Sequence, residues 1–104
     1  MKKQTKHSIT AFVYDKRGKL LSIGKNSYVK THPLQKQHAV AVGEPQKEFL
    51  HAEVAAIASC RDLNKAYRMV VTRMDKSGNT ALAKPCPICQ RAISFTNIQV
   101  VEHT

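Results

Sequence analysis

The chain has 104 residues, enough for one domain with a modest core. Hydrophobic residues make up 42% and charged residues 23%, which excludes wholesale disorder and collagen-like structure. Lys plus Arg number 17 against 7 Asp plus Glu, a formal net charge of +10, which suits anionic partners from nucleotides to nucleic acid.

Residues 1–7 are polar and basic and read as a short flexible start to a single domain spanning 1–104. Gln4-Thr5-Lys6-His7-Ser8 stands where a signal peptide would be apolar. Ile9 to Tyr14 is β-branched and aromatic, a strand. Asp15 to Lys19 is a turn, with Gly18 free to take positive φ, and Leu20 to Gly24 is the second strand of a hairpin. From Asn26 to about Lys47 no clear period shows, so this is a long loop of the kind that often serves function, with a short helix over Leu34 to Val42. Phe49 to about Leu63 is Ala-rich and helical, with Leu50, Val54, Ile57 and Ala58 at helical spacing. Tyr67 to Met74 is a third strand, and Asp75 to Asn79 is a turn. Pro85 opens a second helix through about Phe95, and Ile98 to Glu102 closes the chain as a strand. The order β-β-α-β-α-β predicts an α/β fold: a single mixed sheet with helices packed on it.

The longest uninterrupted apolar stretch is Val54 to Ala58, far short of the ~20 residues of a membrane span. Three cysteines do not make a secreted disulfide framework. The expectation is a soluble, cytoplasmic protein with no membrane partner, whose thiols are reduced or hold a metal.

Two strings carry chemistry. His51-Ala52-Glu53 begins the first long helix, and Pro85-Cys86-Pro87-Ile88-Cys89 begins the second. The Cys-x-x-Cys spacing puts two sulfurs on one side of a first helical turn, and soft thiolates suit zinc. A helix N-terminus also favours the thiolate. With a histidine as third ligand, a tetrahedral zinc keeps one position for water, the mark of a catalytic site. Two residues along a helix is about 200° of rotation. His51 and Glu53 therefore converge only on an ion lying off the helix end, with Glu53 as proton shuttle and not ligand.

The pairing of His51-x-Glu53 with Pro85-Cys86-x-x-Cys89 resembles the signature of the cytidine deaminase-like superfamily. The run Pro85 to Ile93 is similar to the second motif of its deoxycytidylate, guanine and tRNA adenosine deaminase branches. The resemblance implies a minimal form of that fold over roughly residues 8–102, lacking the usual first helix and the late elements. It implies Zn2+ held by His51, Cys86 and Cys89. Glu53 is then the catalytic residue, taking a proton from the zinc-bound water and delivering protons to the ring nitrogen and the departing amine. Asn26, Ala52 and Pro85 are the substrate-binding residues it implies. The substrate is a cytosine-type base of a nucleoside, a nucleotide, or single-stranded DNA or RNA, and the assembly is a homo-oligomer.

Two other readings stay open. One is a purine deaminase acting on guanine or adenine. The other is a basic nucleic-acid-binding module with a structural zinc, which demands a fourth ligand from His7, His32, His38, Cys60 or His103 and leaves Glu53 without a task. Cys60 reads as a small buried residue, and His32 and His38 as surface groups or a lid over the substrate. Tyr28 is a candidate for stacking on a base, whereas Tyr14 and Tyr67 read as packing.

Overall fold

A computed structural model of the protein describes residues 8–104. The expected flexible segment 1–7 and His7 lie outside the described residues. Strands β1 (Ser8–Tyr14) and β2 (Leu20–Lys25) form an antiparallel hairpin, with an irregularity in register at Val13/Tyr14. Helices α1 (Pro33–Ala41) and α2 (Ala52–Ser59) follow, then a 3-10 turn at Leu63–Lys65. Strand β3 (Arg68–Met74), the short β4 (Thr80–Ala81), helix α3 (Pro87–Ser94) and β5 (Val100–His103) complete the chain.

The expected α/β class with one mixed sheet is what the structure has. β1 pairs antiparallel with β2 on one side and β3 on the other. The far edge of β3 is shared: β5 runs parallel to Arg68–Val71, and β4 runs antiparallel to Arg73–Met74. Alternation along the strands points Ala11, Val13, Met69 and Val71 to the helix side, where they are fully buried. Val54, Ala56 and Ile57 of α2 and Cys89, Ala92 and Ile93 of α3 complete that core. Helix α2 lies on the hairpin, α3 packs beside α2, and α1 packs on α3.

Helix α2 lies unusually close to β2. A Cβ on Gly24 would overlap the backbone nitrogen of Ala56 and the carbonyl oxygen of Ala52, and would sit 2.8 Å from the Ala56 Cα. Ser22 Oγ donates to the Ala56 carbonyl at 2.8 Å. The pair fixes the depth and height of α2, and so of the residues at its start.

Several element boundaries differ from the sequence expectation, β5 among them at Val100–His103 in place of Ile98–Glu102. Helix α2 starts at Ala52, not Phe49, because the preceding residues pair in extended form. Phe49 bridges Thr31, Leu50 N–H donates to the Lys30 carbonyl, and Ser27 N–H donates to the Leu50 carbonyl. The helix ends at Ser59, where Cys60 turns extended at φ −80°, ψ 111°. Helix α3 starts at Pro87, not Pro85: Pro87 takes the first helical position, and a proline disfavours helical geometry in the residue before it, here Cys86. Strand β4 is two residues long, too short to show alternation in sequence. The order is therefore β-β-α-α-β-β-α-β: α1 stands where a short helix was expected inside the long loop, and β4 is added. Among the described residues no helix is long and apolar enough to cross a membrane.

Candidate metal centre

The two motifs meet at the N-terminal ends of α2 and α3. His51 is the N-cap of α2 and Cys86 the N-cap of α3, both extended, and neither side chain makes a capping hydrogen bond. Ordinary N-caps turn a short oxygen onto the first free N–H groups. Here both cap side chains face each other instead. His51 Nδ1 lies 3.5 Å from Cys86 Sγ and 3.3 Å from Cys89 Sγ, and the three donor atoms lie within 4.8 Å of one another. Two donors on one tetrahedral ion, with bonds of about 2.0–2.3 Å, are roughly 3.5 Å apart. His51, Cys86 and Cys89 are therefore placed to bind a metal ion.

The backbone around these donors is held in place. Gln35, fully buried in α1, accepts from the His51 N–H at 3.2 Å and donates to the Lys47 carbonyl at 3.1 Å. The His51 carbonyl receives the first helical bond of α2, from Ala55 N–H, and the Cys86 carbonyl that of α3, from Gln90 N–H. Gln90 Nε2 also donates to the Pro85 carbonyl at 2.9 Å, tying down the residue before the cap.

Hydrogen bonding with Cys89, then with His51, against burial, holds the Cys86 thiol down to about 3. The Cys86–Cys89 bond, with burial, pushes Cys89 up. His51 is raised by its hydrogen bond to Cys86, against burial. Glu53 is the second residue of α2 and only 6% exposed. Burial raises its carboxyl, opposed by hydrogen bonds from its own N–H and the Cys89 thiol. Because His51 caps the helix from outside, the angular separation of His51 and Glu53 along α2 does not keep them apart.

A cavity of about 440 Å³ opens beside the donors, with His51, Ala52, Glu53 and Cys86 in its wall. Asn26 and Tyr28 line it from the segment after β2, and Lys47, Arg73 and Lys84 also line it. Asn26 Oδ1 accepts from Ile9 N–H at 2.9 Å. Pro85 is buried and is not among the lining residues.

Among the described residues, His32, His38, His103 and Cys60 lie outside the donor group. His32 caps α1, its Nδ1 accepting from Leu34 N–H at 3.0 Å. His38 is neither surface nor lid. It is 2% exposed, its Nδ1 is 2.7 Å from Arg91 Nη1, and its ring meets Phe95 edge-on at 5.3 Å. Cys60 is buried at the opposite end of α2 from His51, and His103 is exposed on β5. Sequence reading missed Gln35, a polar residue in an aperiodic stretch, and Arg73, a charged residue near a strand end. Neither carries a motif.

No protein-family model matches the chain, and no curated protein matches it.

Proposed function

We propose that the protein is a zinc-dependent hydrolytic deaminase of the cytidine deaminase-like type, acting on a cytosine-type base of a nucleoside, nucleotide or single-stranded nucleic acid. The observation that carries this reading is the buried Glu53 carboxyl in a cavity wall beside a three-donor His51, Cys86, Cys89 set. Two thiols and an imidazole at tetrahedral spacing suit zinc above harder ions. A zinc ion there supplies a water acidic enough to act as nucleophile near neutral pH.

The chain's own groups do the rest. Glu53 accepts a proton from the attacking water and passes it to the ring nitrogen beside the amino-bearing carbon. It then carries the second proton to the amine, the C–N bond breaks, ammonia leaves and a carbonyl remains. Ala52 stands at the first position of α2, where the backbone N–H lacks a helical acceptor and suits a base carbonyl. Asn26 is assigned to the substrate from the cavity wall. Pro85 contributes by shaping the loop before Cys86. The reading includes a cytoplasmic homo-oligomer. Its support is three free cysteines and a partly exposed apolar row across the sheet, in which Ile23 pairs Phe12 and Phe12 pairs Val70.

The test is Glu53→Ala. It should keep one equivalent of zinc and lose at least about 10²–10⁴-fold in ammonia release. The assay set is cytidine, deoxycytidine, their monophosphates, guanine, adenine and single-stranded oligonucleotides. Unchanged turnover in the variant, or no ammonia from the zinc-loaded protein with any of these, would overturn the proposal.

A further inference from the structure

The cavity wall has a charge pattern that the reaction does not use. Among the described residues, Lys47, Arg73 and Lys84 line it, and the one carboxylate there is Glu53. Lys47 is already paired with Glu44 at 2.7 Å. Neither Arg73 nor Lys84 forms a salt bridge among the described residues, where the pairs are Lys47–Glu44 and Arg68–Glu102.

Arg73 is the more telling of the two. It stands near the end of β3, directly opposite Ala81 of β4. Its Nη1 reaches the Leu82 carbonyl at 3.4 Å, a long bond. Among the described residues its Nε is buried without a hydrogen-bond partner. Buried polar groups are nearly always paired, and a guanidinium offers five N–H donors in a planar fork. A cation with an unpaired buried donor, in the wall of a cavity, is short of an acceptor. The Leu82 bond places that guanidinium beside the segment that carries Lys84.

We infer that Arg73 and Lys84 form a phosphate subsite in the cavity, so that the substrate is a phosphorylated nucleoside and not a free base or nucleoside. This rests on the deaminase reading for the base and on the chain's own residues for the phosphate. Arg73 matches phosphate geometry through its fork, and Lys84 adds a mobile point charge. The cavity, at about 440 Å³, falls in the usual range for a small-molecule site, with room for a sugar and phosphate beyond the base. The phosphate belongs either to a mononucleotide or to the backbone of a single strand.

The experiment measures binding by calorimetry on the full-length, zinc-loaded protein. The probes are ribose 5-phosphate, cytidine, cytidine 5′-monophosphate and a short single-stranded oligodeoxycytidine. The wild type should bind the monophosphate or the oligonucleotide at least about tenfold more tightly than cytidine. Arg73→Gln should collapse that ratio by about tenfold or more, and Lys84→Ala by a smaller factor in the same direction. Lys65→Ala, which removes the same charge from the 3-10 turn, should change the ratio less than twofold and so separates a subsite from the general field of a basic protein. Arg73→Lys should restore part of the ratio, and Lys84→Ala, at an exposed position, covers the case of a misfolded Arg73 variant. Tighter binding of the monophosphate assigns the subsite to a mononucleotide, and tighter binding of the oligonucleotide to a strand. Equal affinities for cytidine and both phosphorylated probes, or a ratio that survives Arg73→Gln and Lys84→Ala, would overturn the subsite. Arg73-dependent binding of ribose 5-phosphate without any deamination would keep the subsite and remove the deaminase reading.

Discussion

His51 serves two ends that compete. As N-cap of α2 it leaves the first N–H groups without a side-chain acceptor, and its ring turns to Cys86 and Cys89 instead. His51→Ser should therefore strengthen the helix while destroying the donor set. In chelator the variant should be more stable than wild type by about 0.5–2 kcal/mol, read from denaturant midpoints, and it should bind no stoichiometric metal. His38 makes a second prediction. Burial, then the Arg91 charge, hold it below the ordinary histidine value of 6.5. Below pH 6.5 the unfolded chain binds the proton that folded His38 refuses. Its stabilisation is thus complete above that pH and is lost as pH falls toward the folded value, by up to about 1.4 kcal/mol per pH unit. His38→Gln should flatten the stability profile between pH 7 and 5.5, and equal slopes would refute the account. The donors were legible in sequence because ligand spacing is short-range: Cys86 and Cys89 are three apart, and His51 and Glu53 two apart. Gln35, His38 and Arg73 were not. Each owes its role to a neighbour at least nine positions away in the chain, which no local pattern records.

The turns and helix ends show the same division. Asp15 and Asp75 each accept from the two backbone N–H groups flanking a positive-φ glycine, Gly18 or Gly78, and both turns were readable from composition. Helix α1 ends in a Schellman arrangement: Gly43 at φ 81°, Gly43 N–H on the Val40 carbonyl, and Glu44 N–H on the Ala39 carbonyl. The sequence shows no clear period here, since α1 buries Gln35 and His38 among its inward residues and so breaks the apolar pattern. The start of α2 was misplaced because Phe49 and Leu50 are apolar and fit a helical period, yet they pair with Thr31 and Lys30. Gly24 reads as an ordinary strand residue, but it is where α2 rests on the hairpin. Gly24→Ala should lift α2, cost about 2–3 kcal/mol or more in urea denaturation, and weaken metal binding, because the ligand His51 caps α2. Retained stability and metal affinity would show that the helix can shift freely.

The domain as a whole has a small core of mostly short side chains, with Ala11, Ala52, Ala56, Ala66, Ala83 and Ala92 among its members. Its margin of stability is correspondingly sensitive to a bound ion. Free metal at about 100-fold its Kd adds roughly 2.7 kcal/mol. At about 4–8 °C per kcal/mol for a domain of this size, chelation should lower Tm by roughly 10–20 °C. An unchanged Tm in chelator would mean that the donor set does not hold metal in the folded protein. The class of the fold followed from the alternation of strand and helix periods, whereas the shared edge of β3 did not, because β4 has too few residues to show a period.

The position of the three donors has a consequence for how the molecule opens. Residue 51 and residues 86 and 89 lie on either side of β3 in the chain, so a ligated ion would close a loop that includes the central strand. Such a clasp removes freedom from the unfolded chain much as a disulfide does, by about 4 kcal/mol for a loop of this length. With it in place, α2 and α3 would exchange their amide hydrogens as one unit; without it, each helix would be free to fray by itself.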